Sequence, residues 1–262
     1  MKKKMIPLLL LLPLLFLLAV YGKDSKKEES RVVVIAIDGL RWQEMFEGAR
    51  RDSLMPFLWE MGRKKGCMIG NRNRKSKMEV ANGIWKSYAG YSEMLCGVTD
   101  DEHIFDNRKQ YNPNRSVLEL AEACSEYKDR VNAVASWDVI PYILNYRRSE
   151  LPVDFRSSHR VSKQVRNDSV TLNRALKTLK EKHPKLLFVE FCETDYYGHH
   201  GKWQEYLNAA HQNDQFIRQL WKYCQQDPFY KGNTTFLITC DHGRGESLGA
   251  HANRGEVDSQ AS

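Results

Sequence analysis

Acidic residues stand just after three short apolar segments of the chain, and histidines accompany two of them. A single aspartate at the end of such a segment is typical of a turn or a helix cap. Three aspartates, two of them with a nearby histidine, favour a metal site instead. The aspartates are Asp38, Asp195 and Asp241, and the histidines are His199 and His242.

Carboxylate oxygens and imidazole nitrogens are ligands of zinc and related divalent ions, at bond lengths of roughly 2.0–2.2 Å. Two such ions about 3.5–4 Å apart can activate a nucleophile and neutralise charge that develops on phosphoryl oxygens and on the leaving oxygen. The residues therefore predict a centre of two divalent cations. Zinc is favoured, and manganese or magnesium would accept the same ligands.

The apolar segments are short and rich in β-branched and aromatic residues, which predicts buried strands that alternate with helices. This alternation predicts an α/β fold, a three-layer αβα sandwich with a mostly parallel central sheet. Ligands of such sheets bind outside the carboxyl ends of the strands, so the acidic residues are expected to converge there. The predicted strands are residues 31–37, 185–192, 234–240 and a weaker 130–136, and the predicted helices are 54–65, 116–127, 169–182 and 203–226.

Several of these segments resemble the alkaline phosphatase superfamily in order and spacing. Residues 34–41 are similar to its opening metal strand, residues 193–199 to its Glu-x-Asp-x-x-Gly-His element, and residues 239–243 to its Asp-His-Gly element. Residues 87–97 align without gaps with the nucleophile segment of the nucleotide pyrophosphatase/phosphodiesterase branch. The resemblance runs from residue 31 to residue 245, and it implies an alkaline phosphatase-like fold.

A second branch of the superfamily is also similar to this chain. Residues 41–44 and 241–245 resemble stretches of exported bacterial members that are labelled phosphoglyceromutase-like. Cofactor-independent mutases of that group insert a large domain between the nucleophile and the later metal residues. The interval between Ser87 and Asp195 leaves no room for such a domain beside the core helices. The resemblance therefore favours hydrolysis over mutase activity.

The resemblance implies a role for each matching residue. Ser87 is the implied nucleophile, which would attack phosphorus, form a phosphoseryl intermediate and be released by water. The implied reaction is hydrolysis of a small phosphate mono- or diester outside the cytoplasm. One cation would be held by Asp38, Ser87, Asp241 and His242, and the second by Asp195, His199 and a later histidine.

Three assignments keep an alternative. Asn107 falls near the phosphate-contacting asparagine of the diesterase branch, but it is also typical of a turn. Arg41 could meet a substrate anion or form a structural ion pair. His200 would replace His199 if the register shifted by one residue.

The second cation is expected to lack a clear third ligand. His251 is the one histidine after His242, and its surroundings match the family poorly. We therefore expect a C-terminal truncation relative to the family, with His251 as the implied ligand. Alternatives to the hydrolase are a phosphoglyceromutase-like phosphotransferase and a metal-binding relative without turnover. The sulfatase branch is disfavoured, because the segment at Ser87 lacks the proline and arginine of its Cys/Ser-x-Pro-x-Arg motif.

The N-terminus predicts export. Lysines at positions 2–4 precede an apolar run over residues 5–20, which is typical of a secretory signal. We predict a signal peptide over 1–22, a polar linker over 23–30 and one metalloenzyme domain over 31–262. The location would be periplasmic or extracellular, and an uncleaved signal would be the one membrane contact.

The rest of the composition excludes some partners. The chain of 262 residues carries a formal net charge of +7, without a basic stripe interleaved with aromatic residues. A nucleic-acid partner is therefore not expected. The six cysteines predict no particular disulfide.

Overall fold

The structure is a computed structural model that describes residues 30–48 and 54–245. The predicted signal peptide, all but the last residue of the predicted linker, and His251 lie outside the described residues. From Arg31 onward, these residues belong to one compact unit. None of the helices in the described ranges combines the length and the apolar character needed to cross a membrane.

A parallel β-sheet runs through the middle of this unit. Its five strands lie in the order β3-β2-β4-β1-β5, and every pairing between neighbours is parallel. In the register of the sheet, Val33 of the strand over Arg31–Ile37 lies between Leu187 and Phe236. The strands are β1 (Arg31–Ile37), β2 (Val131–Ala135), β3 (Val153–Asp154), β4 (Leu186–Phe191) and β5 (Thr234–Thr239).

Helices occupy most of the connections between the strands. They are α1 (Pro56–Lys64), α2 (Ser87–Cys96), α3 (Val117–Ala123), α4 (Ile140–Ile143), α5 (Tyr146–Ser149), α6 (Asp168–Lys182), α7 (Glu193–His199) and α8 (Trp203–Gln226), with a π-helical turn over Glu44–Gly48 and a 3₁₀ turn over Arg72–Arg74.

Apolar side chains cover both faces of the sheet because successive residues of a strand point to opposite sides. Val33, Ile35 and Ile37 of β1 belong to a cluster that includes buried residues of α1, α6 and α8. Ala36 belongs to a second cluster, which includes buried residues of α2, α3 and α4. Helices therefore flank the parallel sheet on both sides, as the three-layer α/β prediction requires.

The predicted elements match the structure closely where the apolar residues of the sequence follow a clear pattern. Strand β1 and helix α8 have the predicted bounds, and the other predicted elements differ by a few residues at their ends. Helix α2 was not predicted, because it is buried on nearly all sides and so lacks an amphipathic pattern. Helix α7 was likewise not among the predicted helices.

Candidate metal centre

The chemistry-bearing residues follow three neighbouring strands. Strands β4, β1 and β5 are adjacent and parallel, so their carboxyl ends lie side by side. Asp38 comes directly after β1, and Asp241 lies two positions beyond the end of β5. Asp195 lies in the first turn of α7, which begins just after β4. The strand order thus brings the three aspartates to one edge of the sheet.

Four of the predicted ligands meet in what we call the first cluster, formed by Asp38, Ser87, Asp241 and His242. Ser87 Oγ lies 3.4 Å from Asp38 Oδ1 and 3.2 Å from His242 Nε2. His242 Nε2 is 3.4 Å from Asp38 Oδ1 and 3.5 Å from Asp241 Oδ2. All four residues are at most 2% exposed.

Hydrogen bonds from outside the first cluster orient its members. The backbone N–H of Gly39 donates to Asp241 Oδ1 at 3.0 Å, and Thr194 Oγ1 donates to the Asp38 carbonyl oxygen at 2.6 Å. His242 Nδ1 lies 2.8 Å from the carbonyl oxygen of Gly243. Because a carbonyl oxygen can only accept, Nδ1 carries a proton and Nε2 is the ring atom that faces the cluster. This is the arrangement typical of metal-ligating histidines.

The first cluster fits a divalent cation. Ligand atoms of Asp38, Asp241 and His242 lie within 4.8 Å of one another. Asp241 Oδ2 is buried and accepts no hydrogen bond from any residue that the structure describes. Burial, together with the nearby negative charge of Asp38, raises the pKa of Asp241 to about 8. Buried carboxylates of this kind are normally paired with positive charge or coordinate a metal.

Ser87 owes its position to helix α2, of which it is the first residue. The positive end of the helix dipole therefore lies at the nucleophile position, where an anionic group is favoured. Gly90, one turn later, packs against the backbone of Asp241, and a Cβ there would lie 2.3 Å from the Asp241 carbonyl oxygen. The predicted phosphate contact Asn107 lies beside the same helix end, where its Oδ1 accepts a hydrogen bond of 3.0 Å from the N–H of Tyr88.

Two further predicted ligands form the second cluster, Asp195 and His199. Four residues apart in helix α7, they share one face, with His199 Nε2 at 3.3 Å from Asp195 Oδ2. Asp195 Oδ1 is 3.6 Å from His242 Nε2, so the two clusters adjoin. His200 does not face Asp195 but places Nδ1 at 2.7 Å from the carbonyl oxygen of Tyr196. The third predicted ligand, His251, lies outside the described residues.

An arginine that the sequence analysis did not assign also reaches Asp195. The Arg244 side chain is fully buried, and its Nη2 donates to the Asp195 carbonyl oxygen at 3.1 Å and to Asp195 Oδ1. Its position two residues after His242 was the one sequence signal. Within the described ranges, the second cluster thus offers two cation ligands and a guanidinium on one of them.

Arg41 is part of a buried polar network. Its Nε and Nη2 bind both carboxylate oxygens of Glu44, which also accepts a hydrogen bond from the Tyr206 hydroxyl. The guanidinium lies 4.6 Å from the ring centroid of Trp203. Arg41 therefore forms the structural ion pair that the sequence left open beside its proposed contact with substrate.

Glu190 is a second residue that the sequence analysis missed. It is fully buried in β4, and its Oε2 accepts hydrogen bonds from the backbone N–H groups of Ser136 and Trp137. Burial and the charge of Asp38 raise its pKa well above the ordinary value. With Asp38 and Cys192 it forms another group whose ligand atoms lie within 4.8 Å.

Comparison with known families and structures agrees with this geometry. Residues 130–254, just under half of the chain, match the family model described as Metalloenzyme superfamily. The C-terminal periplasmic domain of EcEptC from Escherichia coli, in complex with zinc, has a TM-score of 0.58 at 13% identity, and the match covers 85% of this chain and 66% of that one. The chain has an alkaline phosphatase-like fold.

Two other solved structures are also similar to the chain. An inactive murine ectonucleotide pyrophosphatase/phosphodiesterase 5 in complex with AMP has a TM-score of 0.51 at 17% identity, covering 83% of this chain and 58% of that one. Phosphonoacetate hydrolase from Sinorhizobium meliloti, in complex with phosphonoformate, has a TM-score of 0.53 at 14% identity, covering 82% and 57%. The chain therefore spans less than two thirds of each. No curated protein matches it.

The close approach of Gly90 to Asp241 generates a testable prediction. In Gly90→Ala the new methyl group would overlap backbone, which cannot rotate away as a side chain can. We expect the free energy of unfolding to fall by about 1–3 kcal/mol, and cation affinity to fall because Ser87 and Asp241 move apart. Urea denaturation and calorimetric titration with zinc measure the two effects.

The matched control is Gly66→Ala. A Cβ on Gly66 would meet its nearest atoms at 3.7 Å, an ordinary contact, so stability and cation affinity should stay near those of the native chain. Equal behaviour of the two alanine variants would contradict the assigned role of Gly90.

Proposed function

We propose that the chain is a metal-dependent hydrolase of phosphate mono- or diesters in which Ser87 is the nucleophile. The observation that carries this proposal is the position of the Ser87 hydroxyl. It stands at the start of a helix, 3.4 Å from a buried carboxylate oxygen of Asp38 and 3.2 Å from Nε2 of His242. A hydroxyl among metal-compatible ligands at a positive helix end suits attack on a phosphorus centre.

The cation-binding residues divide between the two clusters. Asp38, Ser87, Asp241 and His242 would hold one divalent cation, and Asp195 and His199 would contribute to a second, with His251 as the further ligand that the resemblance implies. When bound, such cations activate the hydroxyl and neutralise charge on the phosphoryl oxygens. Zinc is favoured by the nitrogen and oxygen donors, and manganese or magnesium fits the same set.

The residues of the chain supply the remaining steps. Ser87 Oγ gives up its proton to solvent and forms a bond to phosphorus, while the bond from phosphorus to the leaving oxygen breaks and that oxygen takes a proton from solvent. Water then attacks phosphorus and the Oγ–P bond breaks, so that the water oxygen stays on phosphorus and a proton restores the Ser87 hydroxyl. A monoester substrate thus releases phosphate, and a diester substrate releases a phosphate monoester. The positive end of α2 favours the anionic phosphoryl group throughout.

Asn107 suits the role of a hydrogen-bond donor to the substrate. Its Oδ1 is held by the N–H of Tyr88, the residue that follows the nucleophile. The Nδ2 group is therefore the end of the side chain that is left to donate to a phosphate oxygen. The residue is half-buried, so the amide can meet a ligand that enters from solvent.

The solved relatives support the substrate class and the location. AMP and phosphonoformate, the ligands of two of these structures, are small phosphorus-containing anions. We propose a small phosphorylated substrate for this chain as well. The similarity to a periplasmic domain supports export to the periplasm or beyond, in line with the signal peptide predicted over residues 1–22.

The first test of the proposal is Ser87→Ala. With nitrophenyl phosphate mono- and diesters and added zinc or manganese, we expect turnover to fall roughly a thousandfold or more, because no group replaces the attacking oxygen. Intact-mass and peptide analysis of the native chain, quenched during turnover, should show one phosphoryl group on Ser87.

Ser92→Ala is the matched control, since Ser92 is buried on the same helix but contacts Asn112 and Cys96 instead of the first cluster. It should retain turnover. Transfer of the phosphoryl group to an added alcohol without net hydrolysis would replace the hydrolase by a phosphotransferase. Cation binding without any turnover would indicate that the chain is a metal-binding relative without catalytic activity.

Asn107→Asp tests the substrate contact. The aspartate keeps an oxygen for the N–H of Tyr88 but replaces the amide donor by a negative charge that repels phosphate. We expect kcat/KM to fall roughly a hundredfold to a thousandfold, measured with the same nitrophenyl substrates.

Asn208→Asp introduces the same charge at an exposed position of α8 and should leave kcat/KM near the native value. A folded Asn107→Asp variant with unchanged kcat/KM would show that Asn107 is only a turn residue.

A further inference from the structure

The proposed mechanism leaves one charged group of the site without a role, the guanidinium of Arg244. This side chain is fully buried, and its Nη2 donates to the carbonyl oxygen and to Oδ1 of Asp195. Asp195 Oδ1 is also the oxygen that lies nearest the first cluster, 3.6 Å from His242 Nε2. The guanidinium therefore binds the carboxylate atom that a second cation, next to the first, would use.

Two glycines provide the space that Arg244 fills. A Cβ on Gly39 would lie 2.9 Å from Arg244 Nη2, and a Cβ on Gly198 would lie 2.6 Å from Arg244 Cζ. Gly198 lies inside helix α7, where glycine is intrinsically less favourable than alanine. Both positions therefore lack a side chain where Arg244 needs room, which indicates a built cradle for the guanidinium.

We propose that Arg244 competes with the second cation for Asp195, so that the two cation positions differ strongly in affinity. The second cluster binds a cation only when the guanidinium leaves Asp195 Oδ1. This inference rests on the proposed function, which supplies the two cation positions. It adds that Arg244 sets the affinity of the second position for its cation.

The experiment is a calorimetric titration of the full, metal-stripped chain with zinc and then with manganese, together with measurement of bound metal by mass spectrometry. The native chain should show one tight and one weak binding event. Arg244→Gln removes the competing charge, and it should tighten the weak event roughly tenfold to a hundredfold while leaving the tight event unchanged.

A second variant weakens the contact between Arg244 and Asp195 without removing the arginine. Gly198→Ala places a methyl group against Arg244 Cζ and pushes the guanidinium away from Asp195, so it should also tighten the weak event. Alanine is favourable inside a helix, so this variant keeps the proposal open to test even where Arg244→Gln does not fold.

Arg166→Gln is the matched control, because Arg166 is equally buried and pairs with Asp154 in another part of the structure. It should lower stability without changing either binding event. Two equal binding events in the native chain, or a weak event that Arg244→Gln and Gly198→Ala leave unchanged or weaken, would overturn the inference.

Failure of the proposed function has a different signature. Asp241→Asn should abolish the tight event, and retention of that event would remove the first cluster as a cation site. If the native chain shows both binding events but does not turn over phosphate esters, the hydrolase proposal is wrong. The competition between Arg244 and the second cation is not affected by that result.

Discussion

Negative charge buried at one edge of the sheet is the constraint on which the rest of the centre depends. Asp38 and Asp241 are each 1% exposed, and their carboxylates lie around the same ring nitrogen of His242. An unpaired buried ion costs several kcal/mol even after the protein relaxes. The backbone N–H of Gly39 offsets part of this cost at one oxygen of Asp241. A divalent cation bound at the predicted ligands would offset more of this cost.

The fold meets this constraint through close backbone contacts more than through side-chain packing. Parallel pairing of β4, β1 and β5 sets the three strand ends side by side, and each end carries one aspartate. Glycines then allow the elements to approach. Gly90 lets α2 lie against the backbone of Asp241, while Gly39 and Gly198 leave space for a guanidinium. The predicted nucleophile Ser87, the predicted cation ligands and Arg244 therefore depend on small residues for their positions.

Much of this arrangement could be predicted from the sequence, because its strongest signals are local. The strands are short apolar runs, and the position of Asp38 directly after β1 follows from strand length alone. The missed features depend on tertiary contacts. Helix α2 has no polar face, so its sequence shows no hydrophobic periodicity. The role of Arg244 depends on its contact with Asp195, which lies 49 positions away in the chain. The same is true of Glu190, an acidic residue inside an apolar strand. Its hydrogen-bond donors, the backbone N–H groups of Ser136 and Trp137, are identified only in the folded structure.

The two clusters also differ in their access to solvent, which constrains how a substrate can reach Ser87. The four members of the first cluster are at most 2% exposed, so a ligand cannot approach through them. The His199 side chain is 36% exposed and Asn107 is half-buried. The exposed side-chain area of the proposed site is therefore found at His199 and Asn107 and not in the first cluster. Of the two predicted cation positions, the second is the more accessible to solvent.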